Sequence, residues 1–232
     1  MEYLDKTSLF KTIDNVSEAF LFGLAIKEDE KLEIADFIIN QQHPGAYAGT
    51  FAPTDVDLAR DLVLFTGDKI TSRVGKCHVI GEEASRALRK LNLPTEKVKS
   101  ALQRADSGLQ SRVNDCLAKQ RYNYGMYCCK SCSCALWINL ASGGLNNNIA
   151  LLVAGLDNLK QYRDTKGGWT GFPFSYTVYV LNEINPDMAI NEMRYVAKFL
   201  EVRLKRKKNN PTKYDLRRDY IYEQILTKVN SY

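Results

Sequence analysis

The stretches FIINQQHPGAY (residues 37–47) and LKQYRDTKGGW (residues 159–169) share one order of features: a glutamine after an apolar helix pattern, then a glycine, then an aromatic residue. Both continue through glycine, phenylalanine and proline, as GTFAP (residues 49–53) and GFP (residues 171–173). Glycine accepts the backbone angles that end a helix, and the ring can cover the end of a hairpin. The repeat therefore predicts a helix-hairpin unit that the chain uses more than once.

Helical periodicity dominates the rest of the sequence. Apolar residues step at three and four positions along residues 9–24, which places them on one helix face. The dipeptide Asn-Pro at residues 185–186 and again at 210–211 offers an asparagine cap followed by proline in the first helical position. The sequence therefore predicts an all-α fold, a single all-helical domain over residues 1–232 built from antiparallel helical hairpins.

The two turns resemble the glutamine-tryptophan repeat of the terpenoid cyclase and protein prenyltransferase superfamily. This resemblance implies an α/α toroid, in which helical hairpins surround a cavity lined by aromatic and apolar side chains. Because the chain is too short to build the usual closed ring of hairpins, a partial or open ring is implied. The ligand implied by the resemblance is apolar or isoprenoid-like.

Six aromatic residues in and after the two turns are candidates for binding such a ligand. Large aromatic side chains can line a pocket for a flat or greasy molecule, but they also serve as core residues or as covers for a turn. Both interpretations stay open for these six: Tyr47, Phe51, Trp169, Phe172, Phe174 and Tyr176.

Asp55 and Asp57 are the candidate catalytic carboxylates. Class II cyclases of the superfamily protonate their substrate with an Asp-x-Asp-Asp motif, whereas this chain has Leu58 at the fourth position. The alternative is that both aspartates lie in the first turn of a helix that starts after Thr54 and buries apolar residues as far as Phe65.

Cysteines are concentrated in YCCKSCSC, residues 127–134. The spacing of Cys129 and Cys132 lets two sulfurs bind one metal ion, and Cys116 and His78 complete four ligands if the fold brings them near. Zinc is one metal that this ligand set suits, and the sequence leaves the cofactor open. Two alternatives stay open: the cysteines pack as small hydrophobic residues, or one of them is a redox or nucleophilic thiol.

Positive charge is a property of the C-terminal end. The basic helical region, residues 203–232, holds nine Lys or Arg against three acids, a local net charge of +6 in a chain whose total is +5. A solvated helix end explains this charge as well as a phosphate-binding surface does. We therefore do not expect a nucleic-acid partner.

The class of function is predicted from targeting signals and catalytic motifs that the sequence lacks. The first residues are acidic and no apolar run is long enough for a bilayer, so we expect a cytoplasmic protein without a transmembrane segment. Phosphate-cradling, zinc-protease and nucleophile-elbow motifs are absent from the sequence. We expect a protein that binds an apolar small molecule or a protein partner. The alternative is a non-catalytic interaction scaffold with a cysteine-rich metal site, and whether the protein is an enzyme stays open.

Overall fold

The computed structural model describes residues 3–43, 45–206 and 208–232. Its elements in these ranges are α1 (Leu9–Leu21), α2 (Glu28–Asn40), α3 (Asp55–Leu58), β1 (Leu62–Val63), β2 (Lys69–Ile70), α4 (Arg73–Leu91), α5 (Glu96–Ala118), α6 (Lys130–Ala141), α7 (Gly144–Asn147), α8 (Ile149–Gln161), α9 (Phe174–Glu183), α10 (Pro186–Leu204) and α11 (Lys213–Ser231). The strands form one antiparallel pair, in which Leu62 faces Ile70. Because all the other elements are helices, the all-α prediction is confirmed.

Helices α4 and α6 lie at the centre of the fold and pack most extensively on each other. Helix α4 also contacts α1, α2 and α5, and α6 also contacts α7, α8 and α9. Two hydrophobic clusters result, one built mainly by α1, α2, α4 and α5, the other mainly by α6 and α8–α11. Val79 of α4 belongs to the second cluster and Ile80 to the first, so this helix joins the two.

Side-chain caps set most helix starts. Asn185 caps α10 with Pro186 at its first position, as the sequence predicts. The second Asn-Pro dipeptide does not begin a helix, because Thr212 and Asp215 form a capping box that starts α11 at Lys213. The carboxylate of Asp215 accepts from the N–H of Thr212, and the hydroxyl of Thr212 accepts from the N–H of Asp215.

The helix predicted to run from Thr54 to Phe65 is wrong beyond its first turn. Helix α3 ends at Leu58, and the chain then forms the β1–β2 hairpin, whose turn contains Gly67 with φ +94°. Phe65 is still buried, because its ring packs on Tyr179 of α9. The apolar spacing was correct for burial but not for the type of element.

The two repeated turns close with equivalent hydrogen bonds. In the first, the N–H of Ala52 donates to the carbonyl of Gln41, the residue after α2 (2.9 Å). In the second, the N–H of Thr170 donates to the carbonyl of Tyr162, the residue after α8 (2.8 Å). One isolated antiparallel bridge lies beside each bond, between residues 42 and 51 and between residues 163 and 169. Pro44 of the first turn lies outside the described residues.

The aromatic residue of each turn hydrogen-bonds to a buried glutamate on another helix. The Tyr47 phenol donates to Glu82 of α4, and the Trp169 indole donates to Glu192 of α10, each at 2.9 Å. The two glutamates lie on different helices, α4 and α10. The toroid arrangement of the hairpins stays a prediction.

Candidate metal and thiol site

Three side chains of ligand type meet where α4 packs against the start of α6, and a fourth contacts one of them. His78 lies on α4, Cys132 lies in the first turn of α6, and Cys128 and Cys129 precede that helix. Ligand atoms of His78, Cys128 and Cys132 all lie within 4.8 Å of one another. The Sγ atom of Cys129 is 3.3 Å from that of Cys132. We call these four residues the Cys/His cluster.

The chain before α6 has the backbone shape that brings its thiols together. Cys129 is the N-cap of α6, and its Sγ accepts from the N–H of Cys132 at 3.5 Å. Cys128 has φ +53°, in the left-handed region that residues with a side chain seldom adopt. The Ser133 hydroxyl accepts from the N–H of Tyr127 and lies 2.9 Å from the carbonyl of Cys129. Unusual backbone angles of this kind occur often at functional sites.

Gly125 anchors the chain segment that precedes α6. Its carbonyl accepts the indole N–H of Trp137 on α6 at 2.7 Å. Gly125 has φ +88°, and an added Cβ would lie 2.3 Å from the backbone N of Gly155 on α8. Only glycine fits both the angle and the close approach to α8. The loop that carries Cys128 and Cys129 is therefore fixed to two helices.

His78 is a buried residue with a ring nitrogen that is unpaired in the part of the chain that the structure describes. It is 1% exposed, and its ring packs on Tyr127 with 4.8 Å between centroids and 31° between the ring planes. The Nδ1 atom has no hydrogen-bond partner among the described residues. Burial, and then the charge of Arg112, lower the pKa of His78 to about 4. A buried nitrogen without a partner is unusual and calls for an explanation, such as an ion.

The three thiols have unequal acidity. Hydrogen bonds from Cys128 and Cys132, together with the N–H groups of Cys132 and Ser131, hold the pKa of Cys129 far below its ordinary value. Hydrogen bonding to Cys129 raises the pKa of Cys128, and hydrogen bonding to Cys128 and Cys129 raises that of Cys132. The thiol whose pKa is lowered is thus Cys129, the exposed member of the three.

The structure places the ligand atoms of two of the four residues that the sequence suggested, His78 and Cys132, within 4.8 Å of one another and of Cys128. Cys129 lies outside that group of three but contacts Cys132 through its sulfur at 3.3 Å, and Cys116 is buried on α5. The vicinal pair Cys128 and Cys129 was visible in the sequence, but the spacing rule for metal ligands favoured only the second of them.

Asp55 and Asp57 have different surroundings. Asp57 is 2% exposed, and its carboxylate accepts from the Ser8 hydroxyl at 2.5 Å and from the N–H of Leu9 at 3.1 Å. It also forms the capping box of α3 with Thr54. Asp55 lies in the same first turn but is exposed to solvent. The structure therefore gives Asp57 a role in capping two helix starts, and the two carboxylates line separate surface clefts.

The candidate ligand-binding aromatics pack against other side chains. Phe172 stacks on Trp137 with 5.7 Å between centroids, and Trp169 stacks on Phe174 at 6.3 Å. The phenol of Tyr176 donates to Glu83 at 2.6 Å. Phe51 is fully buried in the cluster of α1, α2, α4 and α5, whereas Tyr47, Trp169, Phe172 and Tyr176 belong to the other cluster. The six rings therefore do not form one set.

Several basic residues near the C-terminus are paired with acids. Arg217 contacts Asp14 and Glu18, Lys208 contacts Asp219, and Arg218 contacts Asp215. Lys207 lies outside the described residues. No helix in the described part of the chain combines the length and apolar character needed to cross a membrane.

Comparison with known proteins gives no match, whether to family models, to curated proteins or to solved structures. A function must therefore be inferred from the geometry of the Cys/His cluster.

Proposed function

We propose that the Cys/His cluster binds one zinc ion and that the protein is a helical scaffold stabilised by this metal. The observation that carries the proposal is the meeting of His78, Cys128 and Cys132 within 4.8 Å, from segments about 50 residues apart. Cys129 lies outside that group of three, but its Sγ is 3.3 Å from that of Cys132, and in this proposal it moves to become the fourth ligand. Three cysteines and one histidine are a known ligand set of structural zinc sites.

The separation of two of the sulfurs is close to that in a tetrahedral zinc site. Zinc–sulfur bonds of about 2.3 Å in tetrahedral geometry hold two sulfurs roughly 3.8 Å apart. The Sγ atoms of Cys129 and Cys132 therefore need to separate by only about half an ångström from their 3.3 Å. Thiolate and imidazole ligands favour zinc over magnesium and calcium, which prefer oxygen.

Nearby charge also supports a metal with three thiolates. Such a site carries a net charge of −1, because three thiolates outweigh the two positive charges of zinc. After burial, the charge of Arg112 on α5 lowers the pKa of His78, and it opposes the rise that hydrogen bonding to Cys129 causes in the pKa of Cys128. Its Nε is buried without a hydrogen-bond partner in the described ranges. A guanidinium at this position offsets the excess negative charge.

The proposed ion has a structural role. It links α4 to the start of α6, the two central helices, and so fixes the contact between the two hydrophobic clusters. With four protein ligands no coordination position is left open for a substrate, which is typical of structural rather than catalytic zinc. This supports the scaffold alternative over an enzyme.

Metal analysis of tag-free protein tests the proposal. We expect inductively coupled plasma mass spectrometry to find about one zinc per chain, and we expect loss of zinc in His78→Ala and Cys132→Ser. Cys77→Ser and Cys116→Ser are matched controls, because both thiols lie outside the cluster, and they should retain the metal. Less than about 0.1 zinc per chain, with no uptake by the reduced protein, would refute the site.

The apolar or isoprenoid-like ligand and the toroid arrangement remain proposals that only the repeated turn supports. Native mass spectrometry of protein purified without detergent addresses the ligand. A reproducible adduct of lipid mass, lost in Trp169→Ala but not in an exposed control such as Tyr232→Ala, would support it. An adduct-free spectrum from several expression hosts would count against it.

A further inference from the structure

Cys129 and Cys132 differ in their access to solvent although their sulfurs are in contact. Cys129 is exposed at the N-cap of α6, whereas Cys132, one turn further on, has no exposed surface. Their Sγ atoms are 3.3 Å apart. A disulfide bond is about 2.0 Å long, so the two sulfurs need to approach by only about 1.3 Å to form one.

We propose that Cys129 and Cys132 form a reversible disulfide, in which Cys129 reacts with an incoming small-molecule disulfide and Cys132 resolves the product. The assignment of roles follows from access. A reagent in solution has access to Cys129, whereas Cys132 is buried and is reached through a neighbouring thiol, of which Cys129 is the exposed one. In its effect on the metal the inference rests on the proposed zinc site, because oxidation of these thiols removes two ligands and releases the ion.

The reaction proceeds in two exchange steps. The thiolate of Cys129 attacks one sulfur of the incoming disulfide, a mixed disulfide forms, and the first small thiol leaves. The sulfur of Cys132 then attacks the Sγ atom of Cys129, the mixed disulfide breaks, and the second small thiol leaves. Two electrons pass from the cysteines to the incoming disulfide; the proton of Cys132 leaves on one small thiol, and the other small thiol takes its proton from solvent. When zinc is bound, the departing thiols take their protons from solvent instead.

Cys128 is the competing partner. Its Sγ lies within 4.8 Å of that of Cys132, but its side chain is only partly exposed. A Cys128–Cys129 disulfide would have to close between adjacent residues, which strains the bond geometry. The Cys129–Cys132 pair combines an exposed attacking thiol with a sulfur separation of 3.3 Å and needs no bond between adjacent residues. Cys128→Ser is therefore the matched control for the pair.

The first test uses metal-free, reduced protein in anaerobic buffers of reduced and oxidised glutathione. Trypsin cuts after Lys130, so a disulfide between Cys129 and Cys132 appears as a covalent link between two peptides, and fragmentation separates Cys132 from Cys134. We expect this link in oxidising buffer, its loss in reducing buffer, its absence in Cys129→Ser and its retention in Cys128→Ser. Cys132→Ser should instead trap glutathione on Cys129. Circular dichroism checks that each variant is folded.

The second test repeats the oxidation with zinc-loaded protein and a coloured zinc indicator. We expect one zinc ion released for each disulfide formed. The two proposals fail separately. A Cys129–Cys132 link in metal-free protein that never binds zinc overturns the zinc site and supports the thiol pair. Zinc binding without the link, or a link through Cys128, overturns the thiol pair and leaves the zinc site standing.

Discussion

The phenol of Tyr47 donates a hydrogen bond of 2.9 Å to the carboxyl group of Glu82, which has no exposed surface. The other oxygen of Glu82 accepts from the side-chain amide of Asn139 on α6 at 2.6 Å. This carboxyl group therefore ties the first repeated turn to both central helices. Burial raises its pKa to about 8 from an ordinary value of 4.5.

We predict that this carboxyl group makes the protein less stable as pH rises. Between pH 4.5 and 8 folded Glu82 keeps a proton that the unfolded chain has released. The contribution of Glu82 to the free energy of unfolding is complete below pH 4.5. It is lost as pH rises toward 8, by up to about 1.4 kcal/mol per pH unit. Burial lowers the pKa of His78 to about 4, so below pH 6.5 this residue makes the protein more stable as pH rises. The effect of Glu82 on stability is therefore measured best between pH 6.5 and 8.

Urea unfolding of Glu82→Gln measures this contribution. The variant stays neutral, so the free energy of unfolding should depend less on pH in that window than in the wild type. Glu33→Gln replaces an exposed carboxyl on α2 and should keep the wild-type slope. Equal slopes in Glu82→Gln and wild type would show that Glu82 is ionised in the folded protein.

Removal of Arg217 should be strongly destabilising. Its guanidinium has no exposed surface, forms two bonds of 2.8 and 2.9 Å with the buried carboxylate of Asp14, and lies over the ring of Phe65. Arg217→Met leaves that carboxylate without its main partner, which should cost about 3–5 kcal/mol. Lys213→Met on the same helix removes a half-exposed contact to Asp14 and should cost less than about 1 kcal/mol. Similar losses in the two variants by chemical denaturation would refute this ranking.

Zinc should stabilise the folded protein. A ligand that binds only the folded state adds about 4 kcal/mol when its free concentration is a thousand times the Kd. Thermal denaturation should therefore show a lower Tm after treatment with a chelator and recovery on addition of zinc. Cys132→Ser should be insensitive to both treatments, while Cys77→Ser should respond like the wild type. A wild-type Tm that is unchanged by the chelator would contradict the prediction.

Gly125→Ala should damage both stability and the Cys/His cluster. The new Cβ would lie 2.3 Å from backbone atoms of α8 at a φ of +88°, so we expect a cost above about 2 kcal/mol and reduced zinc content. Gly23→Ala is the control, because Gly23 also has a positive φ, +64°, but has no neighbour within 4 Å of the added atom. This variant should cost about 1 kcal/mol and keep its zinc. Equal unfolding free energies for the two variants would exclude the close approach as the cause.

Local signals predicted helices well and short irregular segments poorly. The Asn185 cap and the proline after it are a local pattern, and α10 begins there. Asn210 carries the same pattern, yet Thr212 starts α11, because a reciprocal capping box satisfies more backbone groups. The β1–β2 hairpin depends on a distant contact, since Asp68 in its turn accepts from the N–H of Tyr176 on α9. Periodicity along the chain does not contain that information.

The cluster was only partly predictable for a similar reason. The spacing of Cys129 and Cys132 is a local pattern that one helix turn brings together. The position of His78 depends on how α4 packs on α6, and that of Cys128 depends on a left-handed backbone angle for which no residue type in the segment gives a signal. The buried glutamates of α4 were missed as well, because their partners, Tyr47 and Tyr176, lie in other elements.

The position of α4 between the two hydrophobic clusters has a consequence for dividing the chain. Residues 121–124 are exposed, and a cut there separates α1–α5 from α6–α11. The most extensive packing surface of α4 would then face a partner on the other fragment. We expect fragments 1–121 and 122–232 to be unfolded apart and to reassemble when mixed, with the fluorescence of Trp137 reporting their reunion.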